Sequence, residues 1–166
     1  LDVTDPEIIH KYEQHYHAIL PKQKGYKIPE MYDAALSGKL KALWLMGEDL
    51  VQTDPNTHHV KAALSNLDLL VVQELFMTET AALATVVLPG ASFLEKSGTF
   101  TNGERRIQRV NQVVQTISGT RTDGQIMVDM MNKMGYSQPE YHPAWVLDEI
   151  SKIVRSEEHT SELQSH

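Results

Sequence analysis

Apolar positions at the start of the chain recur at helical spacing. Asp5-Pro6-Glu7 supplies a cap and a proline at a helix start, and Ile8, Ile9, Tyr12, Tyr16 and Ile19 follow on one face until Leu20-Pro21 stops the run. Pro29 opens a second, short helix carrying Met31, Ala34, Ala35 and Leu36, and Gly38 ends it. The period then changes. Leu40 to Met46 is a short apolar run followed at once by Gly47-Glu48-Asp49, the pattern of a buried strand ending in a loop. Asp54-Pro55-Asn56 begins a helix with Val60, Ala63, Leu64 and Leu67 on one face. Leu69 to Val72 is a second strand ended by Gln73-Glu74, Thr78 to Ala84 a short helix, and Thr85 to Leu88 a third strand stopped by Pro89-Gly90. Strands separated by connections of that length pair in parallel, which predicts an α/β fold: a partial doubly wound parallel sheet with flanking helices.

Beyond Gly90 the pattern loses its period. Ala91 to Asn111 reads as a long ordered loop with a short strand near Arg106 to Val110, and loops of that length in a compact domain are usually functional. Asp123 is expected to cap a helix bearing Ile126, Met127, Met130, Met131 and Met134, ended by Gly135-Tyr136. The methionine stripe and Trp44 are expected in the core. A last helix is predicted from about Pro143 to Val154.

The ends fit a piece of a longer protein. The chain starts at Leu1, and Arg155 to His166, RSEEHTSELQSH, is polar and aperiodic. That string resembles a translated sequencing adapter, and it is set aside as a disordered, non-biological tail. The expected organisation is therefore an N-terminal helical segment over 1–37, an α/β nucleotide-binding piece over 38–154, and the tail over 155–166.

Composition narrows the chemistry. The net charge is −7, which disfavours nonspecific nucleic-acid binding, and no apolar run approaches the roughly 20 residues of a membrane helix. There is no Cys, so this chain offers no thiolate zinc site, cluster ligand or cysteine nucleophile. The eight histidines show no ligand spacing, and the adjacent His58 and His59 point to different helix faces. No catalytic residue and no metal ligand is expected here.

What remains is a crevice. In an open α/β sheet, ligands bind beyond the carboxyl ends of the strands. Gly47, Glu48 and Asp49 stand at that edge of the first strand. Gln73 and Glu74 stand at the same edge of the second, where their acceptors suit ribose hydroxyls or a base edge. An ordinary βα turn would also account for the first group. Lys96, Arg105 and Arg106 in the loop EKSGTFTNGERRIQ are cations suited to phosphate, although a solvated hairpin reads the same way. No GxGxxG and no Walker loop is present, which disfavours the ordinary dinucleotide and P-loop folds.

The stretches GKLKALWLMGEDLVQTDPN and LDLLVVQELFMTETAALATVVLPGASFLEKSGTFTNGERRIQRV closely resemble the catalytic alpha subunit of formate dehydrogenases, in the molybdopterin oxidoreductase family. Gly-Glu-Asp, TETA, VVLP, EKxGTF and NxERRxQ recur in that order and spacing. The resemblance implies a bis-molybdopterin guanine dinucleotide cofactor carrying molybdenum or tungsten, with a 4Fe-4S cluster elsewhere in the full protein and not bound by this fragment. It implies that this stretch is like the module that holds the guanosine diphosphate end of one dinucleotide. By the same resemblance Gln73, Glu74, Lys96 and Asp123 match cofactor contacts, and Glu48 and Asp49 match a further one. The sequence departs from the family where Asp49 replaces a common Asn, where Glu74 and Thr85 replace Asp, and where Asp123-Gly124 replaces Asp-Trp.

The resemblance also implies partners: the remainder of the alpha subunit, electron-transfer subunits and formate as substrate, with no nucleic acid and no membrane insertion. A cytoplasmic location is expected, with the periplasm as the alternative. The alternative functions are a nitrate-reductase-like or other oxidoreductase of the family, and a non-catalytic nucleotide- or cofactor-binding module.

Overall fold

The computed structural model describes residues 4–154; the expected tail, 155–166, lies outside them. The chain divides into two compact units, each built from separate stretches.

The larger unit, Lys27–Ser97 with Val110–Tyr141, contains the sheet. Its elements are α2 (Ile28–Leu36), β1 (Ala42–Met46), α3 (Leu50–Thr53), α4 (Thr57–Ser65), β2 (Leu69–Glu74), α5 (Glu79–Ala82), β3 (Val86–Pro89) and α6 (Asp123–Lys133), following α1 (Pro6–Tyr16) of the other unit. The strands lie in the order β1-β2-β3 and both pairings are parallel. Leu43 pairs with Leu70, Leu45 with Val72, and Val72 with Val87. Because side chains alternate along a strand, these five share one face. That face meets Tyr32 and Ala35 of α2, Leu50 and Val51 of α3, Val60, Ala63 and Leu64 of α4, and Ala81 of α5 in one core. The α/β class and the parallel sheet with flanking helices are thus as the hydrophobic pattern predicts.

The opposite face carries Trp44, Met46, Leu69, Val71, Gln73 and Val86 by the same alternation. It is less covered: Met46, Leu69 and Val86 are exposed. At its carboxyl edge the chain returns beside β3. Gly90 bridges Arg121 in parallel, Ala91 N donates to Arg121 O at 2.9 Å, and Arg121 N donates to Pro89 O at 3.2 Å. This return sets the start of α6 next to the ends of β2 and β3.

The second unit joins α1, the hairpin of β4 (Gly98–Thr101) and β5 (Ile107–Val110), and α7 (Pro143–Ile153). The paired β4–β5 ribbon stands where the sequence suggested a loop with one short strand. Asn102 makes its turn by accepting from Glu104 N and Arg106 N, and Arg105 takes the left-handed conformation (φ 64°). Lys11 Nζ donates to Ile153 O, and His15 meets Glu149, joining α1 to α7.

Several local expectations need correction. Helix α1 stops at Tyr16, because His17 turns left-handed (φ 49°); Ile19 is therefore off the helix and 91% exposed. The one-turn helix α3 was hidden between two turn signals. Asp123 does not cap α6. Thr122 does, its hydroxyl accepting from Gln125 N, and Asp123 is the first helical residue. The pattern Thr-x-x-Gln was the available signal. The methionine stripe is not core among the described residues: only Ile126 of α6 is buried, while Met127 and Met134 are exposed. Trp44 is half-buried, with its indole nitrogen inside.

Candidate nucleotide site at the carboxyl edge of the sheet

Gln73 is the last residue of β2 that points away from the helical core, and it is 1% exposed. An amide there must find partners. Its Nε2 donates to Asp123 Oδ1 at 2.8 Å, and the other Asp123 oxygen pairs with Lys96 Nζ. The acceptor carboxylate fixes which way the amide lies, since reversing it would set oxygen against oxygen. Gln73 Oε1 is then left buried without a hydrogen bond.

The Asp123 carboxyl is shaped by opposing influences. Partial burial pushes its pKa up, but hydrogen bonds from Lys96 and Gln73, with the Lys96 charge, outweigh it and hold the carboxyl below its ordinary value of 3.8. Its ionised form therefore persists beside the sheet edge. Tyr141 borders the same turn. Its pKa is raised, by burial first and by the Asp123 charge second.

A brace delivers Lys96. The neighbouring Glu95 is buried and accepts from Ser92 N and Ile117 N, both at 2.8 Å. Leu94 O accepts from Val113 N and Val114 N, Thr116 Oγ1 donates to Glu95 O, and Ser97 Oγ accepts from Gln112 N. Segments 92–97 and 112–117 are thus tied along their length. The contacts from Ser92 and Ile117 lower the Glu95 pKa against the raising effect of burial, with the Ser92 side chain first.

The other sequence-predicted residues sit differently. Glu74 follows Gln73 and so faces the other side of the strand; its carboxylate turns back onto Leu75 N at 2.6 Å, outside the Gln73–Asp123–Lys96 chain. Its carbonyl accepts from Gly90 N at 3.0 Å. Gly47 ends β1 in the left-handed region (φ 62°), and its N–H donates to Gln73 O at 2.9 Å. Glu48 is exposed and accepts from Thr53 Oγ1 at 2.8 Å. Asp49 Oδ1 accepts from Thr80 N at 3.2 Å and Thr80 Oγ1 at 2.5 Å, while Thr80 Oγ1 accepts from Val51 N at 3.0 Å. Asp49 therefore pins α3 to α5. Thr80, fully buried, was missed as a partner, because a Thr in a short helix carries no signal of its own.

A parallel sheet whose carboxyl edge gathers an amide, a carboxylate and a lysine belongs to the open α/β class, in which ligands sit beyond that edge. The molybdopterin oxidoreductase family model matches residues 7–133, and the chain belongs to that family. It is 43% identical over 151 residues to the Bacillus subtilis (strain 168) protein named "Probable oxidoreductase YjgC", covering 91% of this chain and 15% of that protein. It is 43% identical over 128 residues to the F420-dependent formate dehydrogenase 1 subunit alpha of Methanococcus maripaludis, covering 77% of this chain and 19% of that one. Among solved structures, the acetylene hydratase from Pelobacter acetylenicus matches with a TM-score of 0.60 at 24% identity, over 78% of this chain and 19% of that chain, a likeness of fold. The chain thus spans under one fifth of the length of these relatives.

Proposed function

We propose that this chain is part of a formate-dehydrogenase-like molybdopterin oxidoreductase, and that the Gln73–Asp123–Lys96 edge holds the guanosine diphosphate end of a molybdopterin guanine dinucleotide. The observation that carries the reading is the buried, unpartnered Gln73 Oε1 beside an ionised Asp123 and a lysine. The donor set fits the group. Guanine presents N–H donors along one edge, which Asp123 and the Gln73 carbonyl would accept, and Lys96 would take phosphate oxygens. Glu48, at the end of the neighbouring strand, would serve a ribose hydroxyl, whereas Glu74 faces the other side of β2 and stays outside the proposed site. Gly47 keeps the β1 turn free of a side chain.

When bound, the pterin-held molybdenum or tungsten supplies the two-electron chemistry that in the full enzyme would oxidise formate to carbon dioxide. The residues of this chain bind and orient. Lys96 compensates phosphate charge, Asp123 and Gln73 fix the base, and the brace around Glu95 keeps Lys96 at the sheet edge. A 4Fe-4S cluster, electron-transfer subunits and the remainder of the alpha subunit complete the proposed enzyme. Among the described residues no helix is long and apolar enough to cross a membrane.

The test is the guanosine monophosphate released by acid hydrolysis of the full-length protein. Lys96→Ala is expected to weaken cofactor retention by about 1–3 kcal/mol, the cost of a lost hydrogen bond to a charged group. Undiminished guanosine monophosphate in both Lys96→Ala and Asp123→Ala proteins would exclude the site.

A further inference from the structure

Position 124 has no room for a side chain. A Cβ there would overlap Cε2 and Cζ of Tyr141 and lie 2.7 Å from its hydroxyl. The phenol is therefore seated on the Cα of Gly124, in the first turn of α6, one residue after Asp123. Thr122 already caps this turn through Gln125 N, so the phenol is not needed to finish the helix. Its seat places an aromatic ring beside a carboxylate whose other neighbours, Gln73 and Lys96, approach from β2 and from the 92–97 segment. The ring is half-buried rather than enclosed.

We infer that Tyr141 is a specificity-determining residue of this edge, its ring forming the wall against which a purine base lies while Asp123 reads the base's N–H donors. The inference rests on the nucleotide reading above and deepens it. A flat aromatic wall gains from any stacked base, whatever its identity. An ionised carboxylate beside that wall discriminates. Guanine offers two N–H donors on its Watson–Crick edge, whereas adenine offers one donor next to a ring acceptor that a carboxylate repels. Gly124 belongs to the same device, because any side chain there evicts the ring.

The experiment uses the full-length protein purified free of its cofactor and measures binding of GDP, ADP and inorganic pyrophosphate. Tyr141→Leu is expected to weaken GDP at least about fivefold, the loss of one stacked aromatic, and to leave pyrophosphate unchanged. Tyr141→Phe keeps the ring and should bind GDP like the unaltered protein. Gly124→Ala, which moves the ring without removing it, should reproduce Tyr141→Leu. GDP affinity in Tyr141→Leu and Gly124→Ala equal to that of the unaltered protein would overturn the inference, as would a parallel loss of pyrophosphate binding, the mark of a merely structural role. Asp123→Ala separates the two readings. If it weakens GDP while the Tyr141 and Gly124 variants do not, only the wall falls; if it leaves GDP untouched, the nucleotide site itself falls.

Discussion

Gln73 and Asp123, fifty positions apart, are joined by a hydrogen bond of 2.8 Å from the Gln73 amide to Asp123 Oδ1. That bond ties the end of the central strand to the start of α6, and two features of the chain make it available. Alternation along β2 sends Leu70 and Val72 into the helical core and Gln73 to the other face. The parallel bridge between Gly90 and Arg121 then brings the residue two positions later alongside. Gly90 is buried there, and a Cβ at that position would lie only 3.5 Å from Asp123 Oδ1.

The Asp123 ion pair carries a pH signature. Its carboxyl is held below 3.8 in the folded protein, so the pair stabilises the fold above that value, and the contribution is lost as pH falls through the lower, folded pKa. Asp123→Asn should therefore lower Tm by a constant amount from neutral pH down to about pH 5, with the difference closing below about pH 4. A difference that stayed constant into stronger acid would show that the charge is not what matters.

Asp49 is expected to act as a structural anchor. Its Oδ1 satisfies both the N–H and the hydroxyl of Thr80, which is fully buried. Asp49→Ala should cost about 1–3 kcal/mol, because both donors lose their acceptor inside the protein. Asp49→Asn keeps an acceptor oxygen and should restore most of that loss. Chemical denaturation of the three proteins reads the order directly, and an Asn variant as weak as Ala would require the negative charge itself.

Much of this fold was legible in the sequence. Apolar runs of strand length, separated by helical periods, foretold β1, β2, β3 and their parallel pairing, because connections of that length suit crossovers rather than hairpins. Where residue type and strand end coincide, as at Gln73, the pattern marked a polar side chain that the fold turns away from the helical core; Lys96 stood out only as a cation in a loop. The site was not legible where a side chain serves a neighbour instead. Asp49 turns to Thr80, Glu74 turns back to Leu75, and Thr122 takes the capping role expected of Asp123. Tyr141 gave no signal, since only the folded chain brings it onto Gly124. The methionines of α6 kept their helical spacing but not their burial, for spacing reports a face and not what covers it.

Gly47 provides a backbone test. It adopts φ 62° and a Cβ there would meet nothing within 4 Å, so any penalty for Gly47→Ala comes from the left-handed backbone and not from a clash. A loss of about 1–2 kcal/mol is expected, with Gly47→Asn milder because Asn tolerates this region. Equal stability of the Gly and Ala proteins would mean that the β1 turn relaxes out of this conformation.

Glu95 should control Lys96 without touching a ligand. The two oxygens of Glu95 take separate N–H groups, from Ser92 and from Ile117, and so fasten the start of the 92–97 segment to residues 112–117. Lys96 is the next residue and inherits that placement. Glu95→Ala should free both amides and raise their hydrogen-exchange rates markedly. Glu95→Gln, whose NH2 group cannot accept, should free one. Guanosine monophosphate recovered from the full-length protein should fall in the same order, Ala below Gln below Glu. The sign of the pH effect follows from the lowered carboxyl pKa: the brace is complete above the ordinary value of 4.5 and loosens as pH drops through the folded value. Amides of Ser92 and Ile117 that stayed protected in Glu95→Ala would show that the brace is held by the Leu94 and Thr116 contacts instead, and Lys96 would then keep its place.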